Sequence, residues 1–272
     1  AFNGVATSIN ALKIYKVSVQ AIYVDLLQDQ FVNENDKMLN KEIINDKGIN
    51  KNIIEINDVS FSYKSSNFTQ IKKLNLSIKK GEVIAITGKT GSGKSTIFLM
   101  LLGLLKPTKG VILYKGQNIF NHIRSWRKLI GYVSQKVYLL DRSIKENIQF
   151  NFEDNIENKN KLYQALNIAD LSNVIKDMKN GVNTLVGNDG IMLSGGEKQR
   201  IAIARTVYKN PEILIMDEFT SALDEDTEIR IIRNLKKIFS GKTILIITHR
   251  KSTLEICDKI YELKKGELNS LK

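Results

Sequence analysis

The sequence predicts an α/β fold with a parallel sheet, and the pattern of apolar runs is the basis of that prediction. Short aliphatic runs at residues 84–87, 213–216 and 243–248 suit buried strands, and helical patterns lie between them. The first run leads into a glycine-rich loop and an apolar helix, while the second ends in two carboxylates. Because ligands bind at the carboxyl ends of strands in open α/β sheets, both features predict one site.

The part of the chain before these strands divides into three stretches. Residues 1–30 carry apolar residues at helical spacing, and residues 31–52 form a polar stretch that reads as a linker. Residues 53–80 alternate in polarity, as antiparallel strands with one wet face do, and another such strand is predicted around Val111. The helix has two interpretations: it packs on this domain, or it belongs with another part of a longer protein, which the initial Ala leads us to expect.

The glycine-rich loop has the G-x-x-x-x-G-K-S spacing of a phosphate-binding loop. Its glycines let the backbone approach an anion closely, and its N–H groups lie at the positive end of a helix dipole. Lys94 can then reach the β- and γ-phosphates, and Ser95 can offer its hydroxyl to Mg²⁺. We therefore predict a nucleoside-triphosphate site that consists of Gly88, Lys89, Thr90, Gly91, Ser92, Gly93, Lys94, Ser95 and Thr96.

Two further motifs carry phosphate chemistry. Asp217 and Glu218 follow the strand at residues 213–216, and we expect Asp217 to hold Mg²⁺ and Glu218 to orient and deprotonate water. Ser194, Gly195 and Gly196 open a helix and predict a second anion cradle, although Ser194 would also suit a plain helix cap. Two cradles fit two anions in one protein, or one nucleotide held between two copies of it.

The order of these motifs over residues 53–272 resembles that of an ATP-binding-cassette (ABC) transporter nucleotide-binding domain of the exporter type. The resemblance implies adenine stacking on Tyr63, a Mg²⁺ and γ-phosphate sensor at Gln135, a dimer-interface loop that includes Asp224, and a γ-phosphate contact from His249. It groups Lys94, Gln135, Glu218 and His249 as catalytic residues, and Ser95, Gln135 and Asp217 as metal ligands. The sequence departs from the family pattern at Asn188, Glu197 and Phe219, where Glu, Gln and Ala are usual.

The resemblance also implies an architecture and partners. The fold would be a RecA-like P-loop NTPase core with an antiparallel β subdomain and an α-helical signature subdomain at about residues 136–196. Residues 1–52 would be the extension of a membrane helix and its linker, so that the chain is the C-terminal part of a half-transporter. ATP and Mg²⁺ would be the cofactors. A second cassette and the transmembrane domain of the full-length chain would be the partners, at the cytoplasmic face of the membrane, with a peptide as one candidate cargo.

Charge and composition leave alternatives. A formal net charge of +12 would suit nucleic acid, so a nucleic-acid-acting ATPase of the same superfamily is one alternative, and an importer cassette is another. The lysines form no long basic block and no heptad array separates Gly93 from Ser194, so we expect no nucleic-acid partner. Cys257 is the single cysteine and reads as a packed small residue. No stretch reaches the roughly 18 apolar residues of a membrane span.

Overall fold

The computed structural model describes residues 52–63, 69–150, 156–220, 222–238 and 241–272. The predicted N-terminal helix and linker lie outside these residues, except that Asn52 opens the first strand. The described strands are β1 (Asn52–Phe61), β2 (Ile71–Lys79), β3 (Val83–Thr87), β4 (Lys109–Tyr114), β5 (Gln117–Asn118), β6 (Ile130–Val133), β7 (Ile213–Asp217), β8 (Thr243–Ile247), β9 (Lys259–Lys264) and β10 (Glu267–Ser270). The described α-helices are α1 (Lys94–Leu101), α2 (Ile123–Leu129), α3 (Ile144–Gln149), α4 (Ile156–Ile168), α5 (Ser172–Asp177), α6 (Gly195–Tyr208), α7 (Glu225–Ile238) and α8 (Lys251–Ile256).

The smaller sheet is antiparallel and has the strand order β2-β1-β4-β5. In β2 the aliphatic side chains of Ile71, Leu74, Leu76 and Ile78 are buried, and most residues between them are exposed. The pairing of β1 with β2 contains register shifts, so the alternation is not strict. The antiparallel strands predicted for residues 53–80 are confirmed, with one packed face and one wet face.

The larger sheet has the order β10-β9-β3-β8-β7-β6, and all its neighbouring strands are parallel except β9 and β10. Every residue of β8 is buried, and so is every residue of β3 and β7 except the last. Strands covered on both faces require such continuous apolar runs. The predicted α/β core is confirmed, and the carboxyl ends of β3, β7 and β8 meet at one edge of the sheet.

Two apolar clusters fill the two faces of the parallel sheet. Along β8, Ile244 and Ile246 belong to one cluster, whereas Leu245 and Ile247 belong to the other, as the alternation of side chains in a strand requires. Cys257 is buried in the first cluster, and its thiol donates to the carbonyl of Thr253 at 3.2 Å. Burial raises the pKa of this thiol to about 11, which agrees with a packed and unreactive cysteine.

The analysis above does not predict the hairpin of β9 and β10. In β9 only Leu263 is fully buried, and the local signal lies instead in the two-residue turn of Lys265 and Gly266, which both have a positive φ. The backbone of β9 pairs with β3 on one side and with β10 on the other. This pairing brings the Leu263 carbonyl against the loop that follows β3, so the hairpin also shapes the site described below.

The segment predicted as the helical subdomain, residues 136–196, contains α3, α4 and α5. At its end α6 begins and runs on to Tyr208, past the predicted boundary, and it packs against α3 and α4. Capping boxes open both α3 and α6, formed by Ser143 with Glu146 and by Ser194 with Glu197. The start of α6 is therefore fixed by its own side chains.

Phe219 occupies a position where the resemblance expects Ala, and its side chain is fully buried in the cluster that holds Val133 and Leu223. Because Phe219→Ala would leave a cavity, we expect it to lower the free energy of unfolding by about 3–5 kcal/mol. Chemical denaturation of the full chain measures this loss. The control Tyr163→Ala removes an exposed ring on α4 and should change the free energy by at most about 0.5 kcal/mol. A loss as small as the control's would contradict the packing role.

Candidate functional site

The loop between β3 and α1 has the backbone of an anion cradle. Gly88 has a φ of 140° and Gly93 a φ of 108°, in the region that favours glycine. A Cβ at Gly88 would lie 2.4 Å from the carbonyl oxygen of Leu263, so no larger residue fits there. At Gly91 the opposite holds, because no described atom lies within 4 Å of an added Cβ. The loop is tight against the sheet and open on its outer side.

Several polar groups of this loop fit a phosphate chain. The hydroxyl of Ser92 is buried and has no hydrogen-bond partner among the described residues, and a phosphate oxygen would supply one. Gln70 donates to the carbonyl of Gly91 at 3.0 Å and holds the outer turn in place. Ser95 and Thr96 lie in the first turn of α1, at the positive end of its dipole. The residues therefore suit a polyphosphate, with a cation on the hydroxyl of Ser95.

Lys94 lies at the centre of the cradle. Its ammonium group is buried and donates to the carbonyls of Gly88 at 2.5 Å and Lys89 at 3.1 Å. Burial lowers the pKa of Lys94, while the nearby carboxylates of Glu218 and Asp217 oppose this shift. Since its described hydrogen bonds go to neutral carbonyls, a phosphate is the anion that would neutralise it.

Three predicted catalytic side chains converge beside this loop. Gln135 Nε2 donates to Glu218 Oε2 at 2.6 Å, and His249 Nε2 lies 4.0 Å from Glu218 Oε1. His249 Nδ1 lies 3.2 Å from the hydroxyl of Thr87, the residue that precedes Gly88. Side chains that follow β6, β7 and β8 thus meet at the carboxyl edge of the parallel sheet, as the sequence predicts for one site.

The backbone of Glu218 is held in an uncommon conformation. Its φ is 42°, a value that costs free energy for a residue with a side chain. Its N–H donates to the carbonyl of Ile247 at 3.0 Å, so the pairing of β7 with β8 continues into the turn. This bond fixes the backbone from which the carboxylate of Glu218 projects.

Asp217 lies in a mixed electrostatic environment. Burial and the neighbouring Glu218 raise its pKa, whereas Lys94 and a hydrogen bond with Tyr132 lower it. Burial, together with Asp217, raises the pKa of Tyr132 to about 12, so the tyrosine keeps its proton near neutral pH and acts as the donor. Motif reasoning misses Tyr132. The available signal was the short apolar stretch at residues 130–133, which includes Tyr132 and forms β6. This strand pairs with β7, where Val133 lies beside Met216.

Tyr63 lies beside the start of α1. Its hydroxyl is 3.2 Å from the hydroxyl of Thr96, and its ring meets Phe61 edge to face at a centroid distance of 4.8 Å. Tyr63 is nevertheless 39% exposed. An aromatic surface is therefore open to a ligand next to the phosphate cradle.

The second cradle makes its hydrogen bonds locally. Ser194 caps α6: its hydroxyl accepts from the Glu197 N–H at 3.3 Å, and its own N–H donates to the Glu197 carboxylate at 2.7 Å. Asp224 caps α7 by accepting from the Thr227 N–H at 2.9 Å, and this bond lowers the pKa of Asp224. Within the described residues, neither Ser194 nor Asp224 forms a hydrogen bond with the phosphate loop.

Gly195 and Gly196 lie against the loop that precedes Asp224. A Cβ at Gly195 would lie 3.4 Å from the Ala222 side chain, and one at Gly196 would lie 3.1 Å from the Ala222 carbonyl oxygen. The glycines allow this close approach. Ser221, also part of that loop, lies outside the described residues.

The site offers few protein ligands for a metal ion. In the part of the chain that the structure describes, no group of three or more His, Cys, Asp or Glu side chains could hold a metal. Mg²⁺ bound with a nucleotide needs only one or two carboxylates, because phosphates and waters complete its shell. Asp217 with the Ser95 hydroxyl and the Gln135 amide fits that requirement.

Comparison with known proteins identifies the group to which this arrangement belongs. The profile described as ABC transporter matches residues 71–221, more than half of the chain. The chain belongs to the ABC transporter family. We call its residues 52–272 the ABC cassette from here on.

The ABC cassette has relatives among translocation ATP-binding proteins and one among solved ABC exporter structures. The leukotoxin translocation ATP-binding protein LktB of Pasteurella haemolytica-like sp. (strain 5943B) is 43% identical over 216 residues, which cover 79% of this chain and 30% of that protein. LktB of Mannheimia haemolytica is 41% identical over 219 residues, covering 80% of this chain and 31% of that protein. A solved structure of a bacterial Atm1-family ABC exporter with ATP bound has a TM-score of 0.74 and 36% identity, over 81% of this chain and 38% of that one.

These comparisons confirm the family and the fold that the sequence predicts: a P-loop NTPase with a parallel and an antiparallel sheet. The chain spans about 30% of the length of the curated relatives named here. No helix among the described residues of the ABC cassette is both long enough and apolar enough for a membrane span.

In Tyr132→Phe the hydroxyl that donates to Asp217 is lost, so the pKa of Asp217 should rise further. Only the ionised carboxylate holds a divalent cation, so metal affinity falls as the pH drops through this pKa. The fall should therefore begin at a higher pH in the variant, with metal binding about 10–100-fold weaker. Electron paramagnetic resonance of Mn²⁺ with ATP, from mildly acidic to neutral pH, measures it.

The matched control is Tyr163→Phe, the same change at an exposed tyrosine on α4. It should bind Mn²⁺ as the wild type does at every pH. If Tyr132→Phe also follows the wild-type curve, Tyr132 does not orient the metal carboxylate.

Proposed function

We propose that the ABC cassette binds and hydrolyses ATP, and that this hydrolysis powers a membrane exporter of which the chain is the C-terminal part. The observation that carries this function is the convergence of Gln135, Glu218 and His249 beside the loop that holds Lys94. Leukotoxin translocation ATP-binding proteins at 41% and 43% identity, together with the ABC exporter structure at 36%, support the transport role.

The nucleotide would lie across α1. Adenine stacks on the open surface of Tyr63, and the loop of residues 88–96 holds the phosphates through its N–H groups and Lys94. Ser95, Gln135 and Asp217 would hold Mg²⁺, and the cation would supply positive charge beside the phosphate oxygens. Gln135 could serve both neighbours, because its Nε2 donates to Glu218 and its Oε1 would be the ligand for the cation.

Glu218 acts as the general base. Its Oε2 accepts from Gln135, which leaves Oε1 as the oxygen that takes a proton from the attacking water. The 4.0 Å between Glu218 Oε1 and His249 Nε2 is too long for a direct hydrogen bond but suits one bridging water molecule. His249 contacts the γ-phosphate and so holds the reacting group next to that water.

Two copies of the cassette would share each nucleotide in a head-to-tail dimer. Ser194 and Gly195 are exposed at the N-terminus of α6, where N–H groups and the helix dipole favour an anion. This second cradle of one copy would complete the γ-phosphate site of the other. The loop that includes Asp224 lies against the same glycines, so it would cross the interface with them.

An exposed apolar patch supports docking of the transmembrane domain of the full-length chain. Leu185, Ile191 and Met192 are 61%, 79% and 74% exposed, and Tyr138 and Leu140 lie on the adjoining loop. The two segments are tied together, because the Val186 N–H donates to the Arg142 carbonyl at 3.1 Å. Large exposed apolar patches mark interaction sites, and this one would lie at the cytoplasmic face of the membrane.

The class of cargo rests on the relatives alone. LktB is named for translocation of a leukotoxin, so a peptide or protein is the cargo that we assign to the transporter. An importer cassette and a nucleic-acid-acting ATPase are less well supported, because the relatives reported above are named for translocation and the solved structure is an exporter.

Tyr63→Ala should weaken ATP binding, because stacking of a base on an aromatic ring is worth about 1–3 kcal/mol, or about 5- to 150-fold in affinity. Tyr63→Phe is the matched control. It keeps the ring and loses only the contact with the Thr96 hydroxyl, so most of the affinity should remain. Titration with a fluorescent ATP analogue measures both variants. Equal losses would rule out stacking.

Glu218→Gln should slow hydrolysis by about 10²–10⁴-fold, because the amide cannot accept the proton. Nucleotide and Mg²⁺ binding should persist, since Lys94, Ser95 and Asp217 are unchanged. The γ-phosphate then stays in place and bridges two copies. We expect the variant to form dimers with ATP and monomers with ADP, measured by light scattering coupled to size-exclusion chromatography.

Wild-type protein is the control for this experiment, and it should dimerise only transiently with ATP. If dimers form without nucleotide, the measurement would be repeated with a shortened chain that begins at Asn52. This chain lacks residues 1–51, so any association that depends on them is removed. A monomer at saturating ATP would contradict the shared site.

A further inference from the structure

We propose, on the basis of the ATPase function above, that Glu228 and Arg250 form a positioning pair. The pair fixes His249 and the interface loop, which we define as residues 222–224, relative to each other. Neither side chain has a place in the nucleotide site. Their effect on hydrolysis would therefore pass entirely through the two segments that they join.

Glu228 is a fully buried carboxylate with both oxygens engaged. It lies in the first turns of α7, and its Oε2 accepts from Arg250 Nη1 at 2.5 Å. Its Oε1 accepts from the hydroxyl of Thr253, a buried residue of α8. A buried carboxylate is tolerated only when it is paired and hydrogen-bonded, so Arg250 is held where Glu228 requires it.

Arg250 directly follows His249 and binds three segments. Beyond its bond with Glu228, its Nη1 donates to the carbonyl of Leu223 at 2.9 Å. Its backbone N–H donates to the hydroxyl of Thr248 at 3.1 Å. The backbone on both sides of His249 is thereby tied to the end of β8, to the start of α7 and to the interface loop.

The interface loop connects this pair to the second cradle. Leu223 is buried and precedes Asp224, which caps α7. Ala222, on the other side of Leu223, faces Gly195 and Gly196. A shift of the Leu223 carbonyl would therefore move backbone that touches the start of α6, while a shift of Arg250 would move His249.

A gain in stability does not by itself explain the ion pair of Glu228 and Arg250. Well-packed apolar side chains of similar size are often as stabilising as a buried ion pair. The guanidinium of Arg250 is rigid and planar, so its hydrogen bonds to the Glu228 carboxylate and the Leu223 carbonyl hold the two groups in one fixed geometry. We therefore attribute the ion pair to the positions that it fixes in the two loops.

Glu228→Gln tests this role in the full chain. The amide keeps the shape of the side chain but removes the charge that holds Arg250. Misplacement of a catalytic group by about 1 Å can cost about 100-fold in rate, so kcat should fall by about 10- to 100-fold. ATP affinity should fall much less than kcat, because Tyr63 and the phosphate loop with Lys94 form no hydrogen bond with Glu228 or Arg250 and keep their contacts. Glu225→Gln, the same change at an exposed residue of α7, is the matched control and should keep wild-type kcat.

A second pair of variants separates position from stability. Arg250→Lys keeps the charge beside Glu228 but lacks the planar fork, so it should fold with a lowered kcat. In Glu228→Gln/Arg250→Gln no buried charge is left unpaired, so thermal stability should recover while kcat stays low. If kcat recovers together with stability, the pair is only structural and the inference is wrong.

The wild-type arm distinguishes failure of this inference from failure of the proposed function. If the wild type hydrolyses ATP and Glu228→Gln has the same kcat, the positioning role alone is overturned. If the wild type does not hydrolyse ATP, the proposed function fails and the positioning role fails with it.

Discussion

The rest of the site depends on the position of one buried positive charge, the ammonium group of Lys94. It is buried among carbonyl oxygens of its own loop and lies near two carboxylates, those of Asp217 and Glu218. Both carboxylates favour the charged form of the buried Lys94, and Lys94 in turn favours the ionised form of Asp217. The cradle, the metal carboxylate and the base are therefore one electrostatic unit, and a bound phosphate would complete it.

The register of the parallel sheet brings this unit together. β3, β8 and β7 are neighbours, and Asp217 pairs with Ile247 at the ends of β7 and β8. The residue that follows each strand end, Gly88, Glu218 or Thr248, therefore starts a loop at the same edge. Since a shift of one residue would turn every buried side chain towards the opposite face, the two apolar clusters hold this alignment. Core packing thus sets the positions of the catalytic residues.

Features that depend on local spacing could be predicted from the sequence, and features that depend on distant partners could not. The phosphate loop, the Ser194 cap and the strands at β3, β7 and β8 each follow from a few consecutive residues. The bonds of Tyr132 with Asp217 and of Arg250 with Glu228 and Leu223 join residues far apart in the chain. The hydrophobic periodicity of the sequence does not indicate which distant residues pair in this way. The pairing of β9 with β3 shows the same limit, because it joins residues that are more than 170 positions apart.

The unpredicted contacts have a common physical effect: each stabilises a local arrangement that is unfavourable in free energy. Glu218 keeps a positive φ that would relax in isolation, and the Ile247 carbonyl opposes that relaxation. Glu228 is fully buried, and without Arg250 its carboxylate would have no ionic partner there. In both cases the sequence violates a local rule beside the reacting groups, and a long-range hydrogen bond compensates. The loops that perform the chemistry are thus short and recognisable, while the accuracy of their placement is distributed over the surrounding fold.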